Sequence, residues 1–230
     1  CALAERFAAE ASELDRSGAF PHANIAALRA AGFLGLTVPR RLGGGGAGLA
    51  LSAEAVGRIG AGEPATALVL AMTLLHHAVI HRDDSPWPRL VADAVGRDAV
   101  TRGTLINALR VEPELGTPAR GGLPATIARR DGAGWRITGR KIYATGAPAL
   151  GYGVVFARTD EAEPRIGNLL VPFDAPGIRI VETWDHLGLR ASASHDVVFE
   201  DVPVSGDHAV DLRPPEAWRK PDSWQQAWSC

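Results

Sequence analysis

Near residue 101 the recurrence of apolar residues changes from every third or fourth position to every second, and no helical pattern returns before residue 208. A chain that switches period once builds helices first and a sheet afterwards. Its strands follow one another with no helices between them, which disfavours the parallel sheet of a Rossmann fold. The expected fold class is α+β, with an all-α domain at residues 1–99 and an antiparallel β-sandwich or barrel at 100–208. Residues 209–230 read as a linker through Arg213-Pro214-Pro215 and the start of a further, truncated helical domain.

The helical half carries start and stop signals. The first helix spans residues 3–17; a second opens on Phe20-Pro21, with proline in its first turn, and closes at Gly32. Leu36-Thr37-Val38-Pro39 leads into the glycine-rich loop at 43–48, whose backbone is too free to hold a regular element. Ser52 is the expected cap of a helix ending near Ile59. The apolar stretch 65–80 is shorter than a bilayer requires and contains His76 and His77, so it predicts a buried helix and no membrane anchor. One more helix is expected at 87–95. Strands are expected at 105–111, 125–129, 135–144, 154–158, 167–173, 178–184 and 197–202, with Asp131-Gly132-Ala133-Gly134 as a hairpin connection.

Charge and cysteine content narrow the partners. Lys+Arg 24 against Asp+Glu 26 leaves a net charge of -2 with no basic block to neutralise a row of phosphates, so nucleic acid is not an expected partner. Cys1 and Cys230, at opposite ends, have neither metal-ligand nor redox spacing and suit a reducing, cytoplasmic compartment. The N-terminal residues lack the basic and apolar segments of an export signal.

Three patterns suggest chemistry and are better read as structure. The glycine loop is followed by Leu49-Ala50-Leu51, where a phosphate-cradling loop needs Lys and Ser or Thr, so it reads as a connector. His77 and His81 share a helix face, but the glutamate of a zinc-protease motif is missing, and no metal is expected. Ser194-His195-Asp196 holds triad residue types on adjacent positions, whose side chains point to opposite faces of a strand.

Two further runs are more informative. In Ala108-Leu109-Arg110-Val111-Glu112-Pro113-Glu114-Leu115-Gly116-Thr117 a strand ends in a proline turn, after which a glycine exposes backbone N–H groups beside a hydroxyl. Such a turn can hold a pyrophosphate or a polar ring edge. In Gly139-Arg140-Lys141-Ile142-Tyr143-Ala144-Thr145-Gly146 an aromatic and a hydroxyl stand two residues apart, predicting a shared face that flanks a flat ring and bonds its edge.

These two runs, the earlier Leu36-Thr37-Val38-Pro39 with its glycine loop, and Leu187-Gly188-Leu189-Arg190-Ala191-Ser192-Ala193-Ser194 through Val198-Phe199-Glu200-Asp201-Val202-Pro203 occur in an order that resembles the acyl-CoA dehydrogenase superfamily. The resemblance covers nearly the whole chain. It implies FAD, or FMN as the alternative, bound by the β-domain. The backbone near Leu109 and Val111 would meet the pyrimidine edge, Thr145 would bond near flavin N5, Tyr143 would flank the ring, and Gly116 and Thr117 would lie towards the phosphate and substrate. His76, His77 and Thr117 are the expected substrate-side residues. Val111 stands where the family has threonine, Tyr143 where it has tryptophan, and Pro118 where many members have aspartate.

The resemblance further implies α,β-dehydrogenation of an acyl-CoA thioester, an electron acceptor, a place in fatty acid metabolism and a homo-oligomeric parent protein. The catalytic carboxylate comes from a C-terminal four-helix bundle in the family. No catalytic base is therefore expected within this sequence, which reads as truncated before the bundle and a poor catalyst by itself. One alternative is a monooxygenase of the same fold that uses reduced flavin and oxygen, with His76 or His77 facing the substrate. A third reading is a non-catalytic remnant or interaction module.

Overall fold

The computed structural model describes residues 2–114 and 123–218. Five α-helices come first: α1 (Ala2–Ser17), α2 (His22–Ala30), α3 (Leu49–Gly60), α4 (Pro64–Ile80) and α5 (Arg89–Arg102). The most deeply set is α4. It opens on Glu63, whose carboxylate accepts from the Ala65 and Thr66 amides at 2.9 and 2.6 Å, and on Pro64, whose missing N–H costs nothing in a first turn. Along α4, Ala67, Leu70, Leu74 and Ile80 are buried, so neighbouring elements surround the helix.

Two helix ends differ from the expectation. Ser52 is not a cap: α3 begins at Leu49 after Gly48, and the Ser52 hydroxyl donates back to the Gly48 carbonyl at 2.9 Å, satisfied one turn inside the helix. The last helix passes through Gly96 and runs to Arg102. Gly96 is needed there for space, since a Cβ would stand 2.7 Å from His81 Nε2. Among the described residues, no helix is long and apolar enough to cross a membrane.

Among the described residues the second half forms one sheet of eight strands: β1 (Leu105–Leu109), β2 (Ile127–Asp131), β3 (Gly134–Ala144), β4 (Leu150–Thr159), β5 (Ile166–Pro172), β6 (Ile178–Val181), β7 (His195–Val204) and β8 (Asp211–Arg213). The order is β6-β7-β3-β2-β4-β5-β8, with β1 also on β4. Most pairs are antiparallel, including the β2–β3 hairpin, which turns through left-handed Gly132. Two pairs are parallel. β1 aligns with β4 from Leu105↔Leu150 to Leu109↔Val155, and β2 continues beyond it at Ile127↔Arg158. The two strands thus occupy β4 in succession.

Helices and sheet share their apolar interior. Phe7, Leu28, Leu70 and Leu74 pack in one cluster with Leu105, Leu109, Val155 and Phe199. A second joins Ile80, Trp87 and Val91 to Ile106, Val154 and Leu170. The seam is also polar at one point, where the Thr73 hydroxyl of α4 lies 3.4 Å from both the N–H and the carbonyl of Ile106.

Candidate functional site

The end of β3 breaks its own alternation. Its pairing with β7 shifts register between Lys141 and Ala144, and Tyr143 within that irregularity has φ 60, a left-handed conformation rare for an aromatic residue. Period two therefore fails to relate Tyr143 to Thr145 as the sequence suggested: Tyr143 is 51% exposed while Thr145 is 9% exposed. The Thr145 N–H donates to the Tyr143 carbonyl at 2.9 Å, which folds the chain tightly between them.

Tyr143 stands in an aromatic group. Its ring meets Trp184 and His186 edge-on, both at 6.1 Å, and those two rings lie 3.9 Å apart at 36°. The strand expected to reach Trp184 ends at Val181, and the following loop carries the two rings. That loop is pinned by His195 and Asp196. His195 Nδ1 accepts from the Thr183 and Trp184 amides at 3.2 and 3.1 Å, and Asp196 accepts from the Thr183 hydroxyl at 2.7 Å while also holding Arg140. Ser194 turns elsewhere, so Ser194, His195 and Asp196 serve three different partners.

Ser194 belongs to a row of buried hydroxyls. Its Oγ lies 3.0 Å from Thr145 Oγ1 and 2.7 Å from Ser192 Oγ. Asn107 Nδ2 donates to the Thr145 carbonyl at 3.1 Å, and the Gly146 N–H donates to the Ser192 carbonyl at 2.9 Å. The sequence does not name Trp184 and His186 as site residues, while Ser192 and Ser194 stand only in the family-like run 187–194 and, for Ser194, among the discounted triad-type residues. Each pair is spaced two apart, but in an irregular loop that spacing has no meaning until the backbone is known.

The turn after β1 is held by a buried ion pair. Glu112 accepts from the Ala125 and Thr126 amides, from the Thr126 hydroxyl at 2.6 Å, and from Lys141 Nζ at 2.6 Å. Lys141, fully buried, also donates to the Phe156 carbonyl. Burial by itself would raise the Glu112 carboxyl, but the hydrogen bonds from Lys141 and Thr126 outweigh it and hold the group below the usual range. The carboxylate thus bridges the break between β1 and β2. Next to it the Val111 carbonyl accepts from the Ile142 N–H, tying the chain just after β1 to β3. The Leu109 side chain is buried in the core, leaving only its backbone for any ligand. Gly116 and Thr117 lie outside the described residues.

The helix histidines separate. His76 Nδ1 stands 2.7 Å from the Met72 carbonyl; because a carbonyl only accepts, Nδ1 carries the proton and Nε2 the lone pair. Burial pushes His76 down to about 4, with Arg110 adding to the shift, so the ring is neutral near pH 7. His77 is fully buried and stacks on His81 at 6.0 Å, directed away from the partners of His76. Arg110 lies with its guanidinium 5.6 Å over the Phe156 ring, and burial lowers its pKa against the opposing charge of Asp211. No group of three or more His, Cys, Asp or Glu able to hold a metal exists among the described residues. The exposed aromatic group beside a row of hydroxyls suits a flat ring with a polar edge.

Residues 2–83 match the model of the acyl-CoA dehydrogenase N-terminal domain, and residues 110–202 match that of the middle domain. A putative acyl-CoA dehydrogenase of Bacillus subtilis, YdbM, is 34% identical over 96% of this chain and 58% of its own length. L-evernosamine nitrososynthase of a Micromonospora species is 31% identical over 93% of this chain and 51% of its own. The structure of a KijD3 in complex with FMN and dTDP-3-amino-2,3,6-trideoxy-4-keto-3-methyl-D-glucose aligns with TM-score 0.81 and 33% identity, covering 93% of this chain and 52% of that one. The chain therefore spans only 51% and 58% of these two curated relatives.

Proposed function

The chain belongs to the acyl-CoA dehydrogenase superfamily, and from that premise we propose that it is the flavin-holding part of an oxidoreductase acting on a small organic molecule. The observation that carries this reading is the aromatic group of Tyr143, Trp184 and His186 beside the hydroxyl row of Thr145, Ser194 and Ser192. The aromatic rings are suited to flank the flavin, and the Thr145 hydroxyl is a hydrogen-bonding group for its edge. Val111 and Leu109 contribute backbone near the same end of β1, and Gly116 and Thr117 are assigned to the phosphate side. FAD is the first assignment and FMN, present in the KijD3 structure, the second.

The primary reaction assigned is α,β-dehydrogenation of an acyl-CoA thioester, in which the flavin accepts a hydride. No residue of this chain is assigned as the proton-abstracting carboxylate, which the family resemblance puts in a C-terminal helical bundle; Glu112 and Asp196 are committed to Lys141 and Arg140. Two observations favour a second reading, a monooxygenase supplied with reduced flavin. A nitrososynthase is among the relatives; beside that, His76 keeps its Nδ1 proton on the Met72 carbonyl, which leaves a neutral Nε2 able to accept a hydrogen bond from a substrate.

The native full-length protein distinguishes the two. Bleaching of the bound flavin by an acyl-CoA under anaerobic conditions supports the dehydrogenase. Oxygen-dependent product formation that needs a supplied flavin reductase, with no acyl-CoA bleaching, supports the monooxygenase. Absence of saturable FAD or FMN binding overturns both.

A further inference from the structure

The hydroxyl row has a direction. Ser192 is fully buried, and among the described residues the only hydrogen-bond partner of its Oγ is Ser194 Oγ at 2.7 Å. A buried hydroxyl hydrogen left without an acceptor is costly, so Ser192 donates to Ser194. Ser194 is 3% exposed and cannot also donate back along that contact; its hydrogen goes to its other partner, Thr145 Oγ1 at 3.0 Å. The hydrogen of Thr145 is then the one in the row that no acceptor among the described residues takes. The inner hydroxyls thereby orient the outermost.

Backbone strain collects around the same row. Four non-glycine residues among those described have positive φ: Tyr143 at 60, Leu189 at 53, Ala193 at 43 and Asp201 at 54. Ala193 lies between the two serines, Leu189 precedes the turn Arg190–Ser192, and Tyr143 is two residues from Thr145. Such conformations persist where the surroundings hold a side chain in a required place.

We propose that Ser192 and Ser194 are positioning residues that fix Thr145 as a hydrogen-bond donor, biasing the site towards the oxidised form of the cofactor. The inference rests on the flavin reading above. Oxidised flavin offers ring nitrogens with lone pairs, which a donor satisfies; two-electron reduction adds N–H groups, which a fixed donor opposes. The row therefore favours oxidised over reduced flavin and holds the midpoint potential down. Rotation of hydroxyl groups is all that is involved, and no proton changes its oxygen.

The test is the ratio of affinities for oxidised and anaerobically reduced FMN and FAD, measured on the native full-length protein together with the midpoint potential of the bound flavin. Ser192→Ala frees Ser194 and Thr145 to reverse. The expected result is a fall of roughly five- to tenfold in the preference for oxidised flavin, the size of one net hydrogen bond, with a rise in potential. Ser194→Ala moves both readouts in the same direction, and Ser192→Thr restores them. In a Thr145→Val background, Ser192→Ala changes neither. An unchanged ratio in both alanine variants, an equal loss of both affinities, or an equal shift in the Thr145→Val background overturns the positioning role while leaving the flavin site standing. Failure of the unaltered protein to bind either redox state overturns the flavin reading and this inference together.

Discussion

Lys141 and Glu112 show how much a single pair of residues decides. A lysine with no exposed surface is held by one carboxylate oxygen and one carbonyl, and that carboxylate also secures the return of the chain into β2. Removing one partner strands the other charge in the interior. Lys141→Met is expected to cost about 3–5 kcal/mol of stability, measured by denaturant unfolding. The buried histidines set a pH limit. Burial lowers His77 to about 3 and His81 to about 4 from 6.5, so between those values the unfolded chain binds more protons than the folded one. Stability is therefore fully present above about 6.5 and falls as pH drops towards 4, by on the order of 3 kcal/mol at most for fully buried His77 and by less for partly exposed His81, whose charge water screens. Urea midpoints measured from pH 7 to 4 in the native chain and in His77→Phe check this: the variant is expected to have a shallower decline.

At the scale of elements, close approach outweighs propensity. Alanine normally stabilises a helix interior by up to about 1 kcal/mol relative to glycine, yet at Gly96 its methyl would press on His81 Nε2 at 2.7 Å and Leu42 Cδ1 at 3.1 Å. Gly96→Ala is expected to destabilise by about 1–3 kcal/mol, read as a lowered thermal midpoint. In the sheet, a Cβ on Gly167 would sit 1.8 Å from the Asp211 carbonyl, inside the β5–β8 pairing of Gly167 with Leu212. Gly167→Ala is expected to release β8 from β5. Hydrogen exchange would then increase for the amides of β8 and remain protected in β4; unchanged exchange in β8 would contradict the assignment.

For the whole molecule, the shared interior has a thermodynamic consequence. The principal apolar cluster takes Phe7, Leu28, Leu70 and Leu74 from the helices and Leu105, Val155 and Phe199 from the sheet, so neither half completes its core alone. Unfolding is expected as one cooperative transition, with helix content by circular dichroism and the environment of buried Trp135 by fluorescence changing together. Two separated transitions would show that the halves are independent. Leu74→Ala in α4, fully buried against this cluster, should cost about 2–5 kcal/mol and lower both signals together.

The sequence by itself determined the succession of helices and strands, because hydrophobic period and turn residues act over a few neighbours. The proline and glycine signals of α2, the apolar run of α4 and the Asp131–Gly134 hairpin are of this kind. Ordered motifs also made the family legible, along with Tyr143 and Thr145 as members of a candidate site. Other features depend on partners far away in the chain. The parallel placement of β1 and β2 along β4 and the reach of Lys141 to Glu112 follow from packing that no local pattern encodes. The same holds at the site, where a left-handed Tyr143 cancels the alternation that period two predicts, and Ser192, Ser194, Trp184 and His186 arrive from an irregular loop. Only the tertiary structure brings those groups together, because loop geometry is fixed by its anchors, here His195 and Asp196, rather than by its own composition.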